Sequence, residues 1–529
     1  MIHNMPFSTA SSAAIVAEAE VLNLKPPSKV GTGICFLDHM VDQLTSHGQL
    51  GVTLRCGIAT PVKGATASGK RDAPEPETRF FAPLRDYATG LADRPHDRDI
   101  FIACGSALGA ALRCVVDEVK ARSSDGAANG SPAIASALFC CPLDEALAEA
   151  VIDLAPAEAS REGECSVRLE PYGTFAAGAS GRRWIGRFRT EYTPLFWEAL
   201  AGSLGCTLSL CRVRGANAHH VLESNFKAFA RAFRAALDRL ADGQPQGCAA
   251  PGAGPAPTLV APSMPRIAER RRATKETTIE VRVDLDAPWR ATDEPAGAQS
   301  AWDGAVMTAT ALTASVQASA RVSTGIAMLD AVIDRLARGA GIQAIVRCEG
   351  DRHIDDHHTA EDVAITLGQC LHEALGDKAG LARMGCAEGG DGGAVVRCVM
   401  DLSNRPHFES NLPLDEEYVG AADGAGGGVA GGGEGRVTGG DADGSVAPWD
   451  ALCGGVLSCE MLYHVFNSLT LEMRATCHLE LRHDKAAAGH TADLALAAAE
   501  AYGAALSRAL RVDPRRRGAV ASSKGTLSK

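Results

Sequence analysis

Positive charge is in deficit in this 529-residue chain: 52 Lys and Arg stand against 64 Asp and Glu, a net charge of −12 at pH 7. A nucleic-acid partner is thereby excluded, because such a protein shows a net basic charge or a basic stripe. Paired cysteine spacing is lacking too. The 17 cysteines are odd in number, none falls in a Cys-x-x-Cys pair, and most sit among apolar or small residues, as Cys35, Cys104, Cys140, Cys141 and Cys370 do. They read as small core residues in a reducing compartment, not as a disulfide framework. No uninterrupted apolar run reaches the length of a membrane span; the nearest, residues 100–116, contains Arg113 and reads as a buried helix. Residues 1–20 lack Lys, Arg and a long apolar core. Neither a secretory signal nor a transit peptide is expected, which points to the cytoplasm, with an organelle left open.

What the chain has is repetition. Gly31-Thr-Gly-Ile-Cys-Phe-Leu-Asp-His39 matches Ser323-Thr-Gly-Ile-Ala-Met-Leu-Asp-Ala331 at an offset of 292, and Arg55-Cys56 and Arg347-Cys348 continue the match. Ile102-Ala-Cys-Gly-Ser-Ala-Leu108 matches Ile365-Thr-Leu-Gly-Gln-Cys-Leu371 at an offset of 263, so the first copy holds an insertion of 29 residues between Cys56 and Arg94. Asp153-Leu154 and Asp401-Leu402 carry the match onward. Repeats of this kind predict two domains, 1–242 and 266–529, joined by a Pro-, Gly- and Ala-rich linker over 243–265. A second glycine-rich stretch, 420–440, reads as a surface loop, because no strand leads into it and no helix follows closely. Alternation predicts strands over 278–284 and 477–482, and helical periodicity predicts helices over 36–46, 219–240 and 357–375. No βαβ nucleotide signature interrupts them, so the expected class is α+β, with helices covering one face of mainly antiparallel sheets.

Two segments share the pattern His-His-x-x-Glu: His219-His220-Val-Leu-Glu223 and His357-His358-Thr-Ala-Glu361. In a helix the first His and the Glu lie on one face and can grip one divalent cation, while the second His points about 100° away, toward another. Two such motifs argue for a two-metal site. Asp355 and Asp356, just before the second motif, suit either a helix cap or an orienting role behind the imidazoles. His39, Gln43 and His47 form a polar stripe at i, i+4 and i+8 on an otherwise apolar helix.

At this point a family resemblance appears. Gly31-Thr-Gly-Ile-Cys-Phe-Leu-Asp-His-Met40, His219-His-Val-Leu-Glu-Ser-Asn-Phe-Lys-Ala-Phe229, His353-Ile-Asp-Asp-His-His-Thr-Ala-Glu-Asp362, Asp401-Leu-Ser-Asn-Arg-Pro406 and Ser522-Ser-Lys-Gly525 resemble imidazoleglycerol-phosphate dehydratase, the dehydratase of histidine biosynthesis. The family carries every motif in one domain; here they are divided. The first copy keeps His39, His219, His220, Glu223 and Lys227, but at the offset of 263 His357, His358 and Glu361 fall on Arg94, Pro95 and Arg98. His464 aligns with Ala199 and Arg405 with Ala157. The second copy keeps His357, His358, Glu361, His464, Arg383, Arg405 and the Ser522-Ser523-Lys524 tail, but has Ala331, Arg335 and Gly339 for His39, Gln43 and His47. Counted back from Val512-Asp513-Pro514, its second His-His-x-x-Glu becomes Ala492, Asp493 and Leu496, with Glu500 for the Lys; nearby His490 is out of register.

The resemblance implies a pair of S5-like repeats in each copy and dehydration of imidazole glycerol phosphate to imidazole acetol phosphate. It implies two Mn2+ ions at one composite site, held by His39, His219, His220 and Glu223 from one copy and His357, His358, Glu361 and His464 from the other. Metals on the imidazole nitrogens turn the ring into an electron reservoir for a hydroxyl that no acidified C–H bond would otherwise help to expel. Glu276 matches the family's acid–base Glu, and Glu223 and Lys227 join it at the reacting end. Gln43 and His47 line the substrate side, and Arg383, Arg405, Ser522, Ser523 and Lys524 match the phosphate grip. A fused phosphatase is not expected, since no Asp-x-Asp-Gly-Thr motif occurs. The implied partner is the phosphorylated imidazole substrate, with no nucleic acid and no membrane. The family's shell of 24 domains would need about twelve of these chains. Two competing readings are a catalytically inactive homologue that assembles with an intact dehydratase, and a two-metal hydrolase.

Overall fold

The computed structural model describes residues 8–12, 15–23, 28–60, 77–80, 97–124, 135–154, 164–172, 181–242, 265–287, 321–352, 356–416, 418–419, 457–482, 490–516, 519–522 and 527. The expected linker, apart from Pro265, and the glycine-rich loop lie outside them. The chain divides into two compact units, Met1–Leu259 with Pro514–Leu527, and Val260–Asp513 with Ser528–Lys529. The C-terminal segment that the repeat assigns to the second copy thus groups with the first unit. There Arg515 Nη1 donates to Asp238 Oδ2 at 2.7 Å and Arg516 Nη2 to the Ser46 carbonyl at 3.4 Å.

One strand order occurs four times. In the first unit, Ser8–Ser12, Ile15–Asn23 and Leu50–Thr60 pair antiparallel in that order, and short Lys29–Gly31 joins the edge in parallel. Ser136–Leu143, Ala146–Asp153, Thr207–Arg214 and Cys165–Arg168 repeat the arrangement. The second unit repeats it twice more, with Ile267–Ala273, Thr277–Asp284, Gln343–Gly350 and Val322–Ser323, then with Met384–Asp391, Ala394–Asp401, Thr476–Leu481 and His407–Ser410. Thr277–Asp284 alternates buried and open positions, with Ile279, Val281 and Val283 inward, whereas Ala394–Asp401 and Thr476–Leu481 are buried at nearly every position. Part of the inserted stretch is used: Glu77–Phe80 adds an antiparallel strand beside Leu50–Thr60.

Helices cover the buried faces. The first unit has α1 (Cys35–Gly48) and α2 (Asp97–Ser124) on one sheet, α3 (Thr193–Leu204) and α4 (Ala218–Asp242) on the other, with α1 packed on α4 and α2 on α3. The second unit has α5 (Ala327–Ala340), α6 (His357–Leu375), α7 (Cys459–Glu472) and α8 (Thr491–Leu510) in the same relation. Among the described residues each unit is therefore two main sheets with four α-helices between them, besides one two-stranded pairing, an α+β architecture. By length and composition α2 would pass as a membrane span, but charged residues such as Arg113 interrupt it, and it is the buried helix expected over 100–116. In this fold 67% of that stretch is buried, and the helix fills the core of its unit. Its Gly105 and Gly109 let α3 approach: a Cβ at either would lie 2.4 Å from the Phe196 carbonyl oxygen or 2.3 Å from that of Leu200. Gly368 holds the same place in α6 against Leu469 of α7.

The repeated Thr-Gly-Ile-x-x-Leu-Asp block is a structural device. Thr32 donates its N–H and hydroxyl to Asp38 Oδ1 at 2.8 and 2.6 Å, and Thr324 does the same to Asp330. The intervening Gly33 and Gly325 sit at φ 83° and 81°, where L side chains are strained. This fixes the entry into α1 and α5 whether or not a His follows. The cysteines of the described residues are free thiols, most of them buried.

Candidate metal centre

In the first unit α4 presents its His-His-x-x-Glu motif where α1 presents His39. Asn217 Oδ1 accepts the His219 backbone N–H at 2.9 Å, starting α4 so that His219 and Glu223 share a face. Glu223 Oε2 lies 2.9 Å from His219 Nε2 and 3.6 Å from His39 Nε2. These three side chains offer donor atoms all within 4.8 Å of one another, a fit for one divalent cation. Glu223 Oε1 takes the Lys227 ammonium at 2.7 Å, and Lys227 is only 4% exposed. Burial opposes ionisation of Glu223, but hydrogen bonds from His219 and His39 and the charge of Lys227 prevail and hold its carboxyl far below the usual range. The Phe36 ring stands edge-on to His219 with centroids 5.0 Å apart. His220 points elsewhere: its Nδ1 meets Glu145 Oε2 at 2.8 Å, and the two imidazoles are nearly perpendicular.

The second unit gathers His357, Glu361 and His464 from α6 and α7, more loosely than the first unit gathers its three. His464 Nε2 lies 2.9 Å from Glu361 Oε1, and His357 Nε2 lies 3.8 Å from Glu361 Oε2. The rings of His357 and His464 stack with centroids 5.9 Å apart. His358 turns away and gives Nδ1 to Asp351 Oδ2 at 3.0 Å. The carboxylate seen against His358 is Asp351, while Asp356 stands at the N-cap of α6, one of the two places expected for it. Asp356 accepts the Ser458 backbone N–H at 2.6 Å, and Asp355 lies outside the described residues. Sequence reasoning missed both Glu145 and Asp351: Glu145 stands 75 positions from its His, and Asp351, seven before its own, lies ahead of the helix, so no shared helix face links either pair. Glu276 is exposed in the turn before Thr277–Asp284. That turn is tied to the His-bearing end of α6: the Glu276 carbonyl accepts the Asp351 N–H at 3.1 Å, and Thr277 Oγ1 donates to Asp362 Oδ2 at 2.6 Å.

The remaining expected residues are distributed as follows. Gln43 Nε2 lies 3.3 Å from His39 Nε2 and, like His47, is 1% exposed, so both belong to the interior of the unit. Arg383 gives Nε and Nη2 to Asp401 at 2.6 and 2.7 Å inside the second unit. Arg405 is half-buried in the turn that follows Ser403, and Ser522 is half-buried in the segment grouped with the first unit. Ser523, Lys524, Arg94, Pro95 and Ala157 lie outside the described residues.

The positions where one copy lacks the other's motif residues carry other contacts. In the second unit Arg335, at the Gln43 position, pairs with Asp391 and lies 3.6 Å from Glu500, which holds the Lys227 position. His490 caps α8 in a reciprocal capping box with Asp493. In the first unit Ala199 holds the His464 position and abuts Gly105.

A family model described as imidazoleglycerol-phosphate dehydratase matches residues 97–233 and 324–425, one stretch in each unit. The imidazoleglycerol-phosphate dehydratase of Cereibacter sphaeroides is 33% identical over 262 residues, 50% of this chain and 100% of that protein. Imidazoleglycerol-phosphate dehydratase 3, chloroplastic, of Triticum aestivum is 29% identical over 264 residues, 50% of this chain and 73% of that one. The crystal structure of the Staphylococcus aureus imidazoleglycerol-phosphate dehydratase aligns over 43% of this chain and 96% of that chain, at 20% identity and a TM-score of 0.28. With a relative matched at 33% identity over its whole length, the chain belongs to the imidazoleglycerol-phosphate dehydratase family.

Proposed function

We propose that this chain dehydrates imidazole glycerol phosphate to imidazole acetol phosphate, a hydro-lyase step of histidine biosynthesis. The reaction would run at a composite site that takes half of its ligands from each copy. The observation that carries the reading is the complementary retention of two His/Glu clusters, His39–His219–Glu223 and His357–Glu361–His464, each beside a second His held by a carboxylate. Together they offer six His and two Glu, enough for two cations with three His and one Glu each. Borderline nitrogen donors with a carboxylate suit Mn2+ among other divalent ions, and Mn2+ is the ion we assign. When bound, the cations would withdraw electron density from the substrate's imidazole.

The chain's own residues supply the rest. Glu276, exposed on a turn anchored beside the α6 motif, takes and returns the side-chain proton. Lys227, buried against Glu223, holds a substrate oxygen and keeps that carboxylate charged. Arg405, with Ser522, Ser523 and Lys524, holds the phosphate away from the cations. Arg383 shapes that pocket through its fork onto Asp401. The reciprocal junction, with Arg94, Arg98, Ala331 and Asp493 at the motif positions, would bind no metal. The shell of about twelve chains belongs to the same reading, as does action in the cytoplasm or in an organelle like the one named for the wheat relative.

Metal analysis of the purified chain, alongside turnover of imidazole glycerol phosphate, tests this. About two Mn2+ per chain with turnover is expected. Four per chain would contradict the losses in each copy. None, with no turnover, would favour the inactive homologue. Turnover of phosphate esters without dehydration would favour the hydrolase.

A further inference from the structure

The second imidazole of each motif shares a property that its sequence does not announce. His220 and His358 both commit Nδ1 to a carboxylate from outside their own helix, Glu145 at 2.8 Å and Asp351 at 3.0 Å. A neutral imidazole so engaged carries its proton on Nδ1, which makes Nε2 the electron-pair donor and fixes the plane of the ring. The two carboxylates come from unrelated places. Glu145 sits in the two-residue turn where Leu143 pairs with Ala146, and Asp351 follows the strand Gln343–Gly350.

The emptied half of the second unit provides an internal control. Asp153-Leu154 and Asp401-Leu402 set an offset of 248, which puts Asp144 and Glu145 on Gly392 and Gly393. The turn is the same: Asp391 pairs with Ala394, and Asp144 and Gly392 have φ of 51° and 50°. Helices α4 and α8 begin at Ala218 and Thr491, so His220 corresponds to Asp493. Where the ring is lost, its carboxylate is lost too. A Cβ at Gly392 would even come within 2.1 Å of the Asp493 carboxylate, so the turn has closed against the residue that replaced the His. An acidic side chain there would face another acid. Glu145 is present in the copy that has His220 and absent from the copy that lacks it.

We infer that Glu145 and Asp351 are positioning residues that fix the tautomer and aim of His220 and His358, so that each presents Nε2 to a divalent cation. The inference rests on the metal-binding reading above. Glu145 also has a second task, since its Oε1 accepts the Asn217 and Ala216 backbone N–H groups at 2.9 and 3.3 Å at the start of α4. In addition, Asp144 Oδ2 lies 3.8 Å from His220 Nε2. The test must separate positioning of the ring from shaping of the turn.

Mn2+ titration calorimetry on the full chain does so, with wild type, Glu145→Ala, Glu145→Gln, His220→Ala and the double variant Glu145→Ala/His220→Ala. Loss of an orienting partner weakens metal binding about 10–100-fold, which is expected for Glu145→Ala. Glu145→Gln, whose amide oxygen still accepts from Nδ1, should recover most of that loss. The double variant should bind no more weakly than His220→Ala alone, because the carboxylate then has no ring to orient. Unchanged affinity in Glu145→Ala overturns the inference. So does an equal further loss in the His220→Ala background, which would trace the effect to the Asn217 turn. A wild-type chain that takes up no Mn2+ overturns the metal reading itself and is told apart by that. Asp351→Ala against His358→Ala repeats the cycle in the second unit if Glu145→Ala disturbs folding.

Discussion

Glu223 shows how much one side chain can carry. It faces two imidazoles and an ammonium at once, and Lys227, only 4% exposed, has little access to water if that carboxylate is neutralised. Glu223→Gln should therefore cost about 1–3 kcal/mol of stability, the penalty of weakening a buried charged hydrogen bond, besides any metal lost. Urea unfolding of the metal-free variant measures that part by itself. Lys378 is the corresponding case in the second unit. Its ammonium donates to Asn404 Oδ1 at 2.6 Å and to the carbonyls of Met473 and Arg474 at 3.3 and 3.2 Å, deep in the fold. Lys378, Arg383, Asn404 and Arg474 all hold positive φ, between 54° and 72°, strain that such surroundings must enforce. Burial draws the Lys378 pKa down to about 7, with Asp401 resisting and Arg383 and Arg474 assisting. Since the unfolded lysine titrates near 10.5, the unfolded chain holds the extra proton between those values, and stability rises with pH from about 7 to about 10. Lys378→Met should flatten that rise in unfolding midpoints measured across the interval; an unaltered slope would assign it elsewhere.

At the scale of elements, positions where the two copies differ are taken up by helix packing in the second unit. His47 in α1 corresponds to Gly339 in α5, and Ala230 in α4 to Gly503 in α8. A Cβ at Gly503 would lie 2.1 Å from the Leu336 carbonyl oxygen and 3.0 Å from the Gly339 Cα, so α5 and α8 meet backbone to backbone. Restoring the ancestral His at 339 would force those helices apart. Even Gly503→Ala should destabilise the second unit by about 1–3 kcal/mol, the range for overpacking. Gly202, in α3, has nothing within 4 Å of its would-be Cβ. Gly202→Ala should stabilise the first unit by up to about 1 kcal/mol, through helix propensity alone. Thermal unfolding of the two variants gives opposite signs if this is right. In the same way, the Asp38 and Asp330 entries into α1 and α5 are equally built although only α1 carries the His. The repeat therefore kept the parts that start the helix, although the His that follows Asp38 has no counterpart after Asp330.

For the whole molecule the reading predicts how damaged chains behave together. A Glu223→Gln chain keeps an intact second unit and a His358→Ala chain keeps an intact first unit. Co-expressed, they should recover dehydratase turnover if live junctions join different chains, and none if each junction lies within a chain. Either variant alone should be at background. Chelation bears on the fold as well. A cation at 100 times its Kd stabilises the state that binds it by about 2.7 kcal/mol. EDTA should therefore lower the unfolding temperature of wild type and leave that of the chain carrying both Glu223→Gln and His358→Ala unmoved.

The amino-acid sequence by itself determined the repeat and where its His-His-x-x-Glu patterns stand. These are local patterns: an i,i+4 His and Glu must share a helix face wherever the helix sits, and α6 runs over His357–Leu375 as its periodicity requires. Only the tertiary structure decided what stands behind those ligands. Glu145 reaches His220 across 75 positions, and His464 reaches Glu361 across 103, through the packing of strands and helices whose contacts no spacing encodes. It also decided that Gln43 and His47 are interior and that the segment after Pro514 sides with the first unit. The emptied half of the second unit became ion pairs and close-packed glycines by the same means. Side-chain periodicity is fixed by the backbone, whereas partnership across a core depends on how sheets and helices meet.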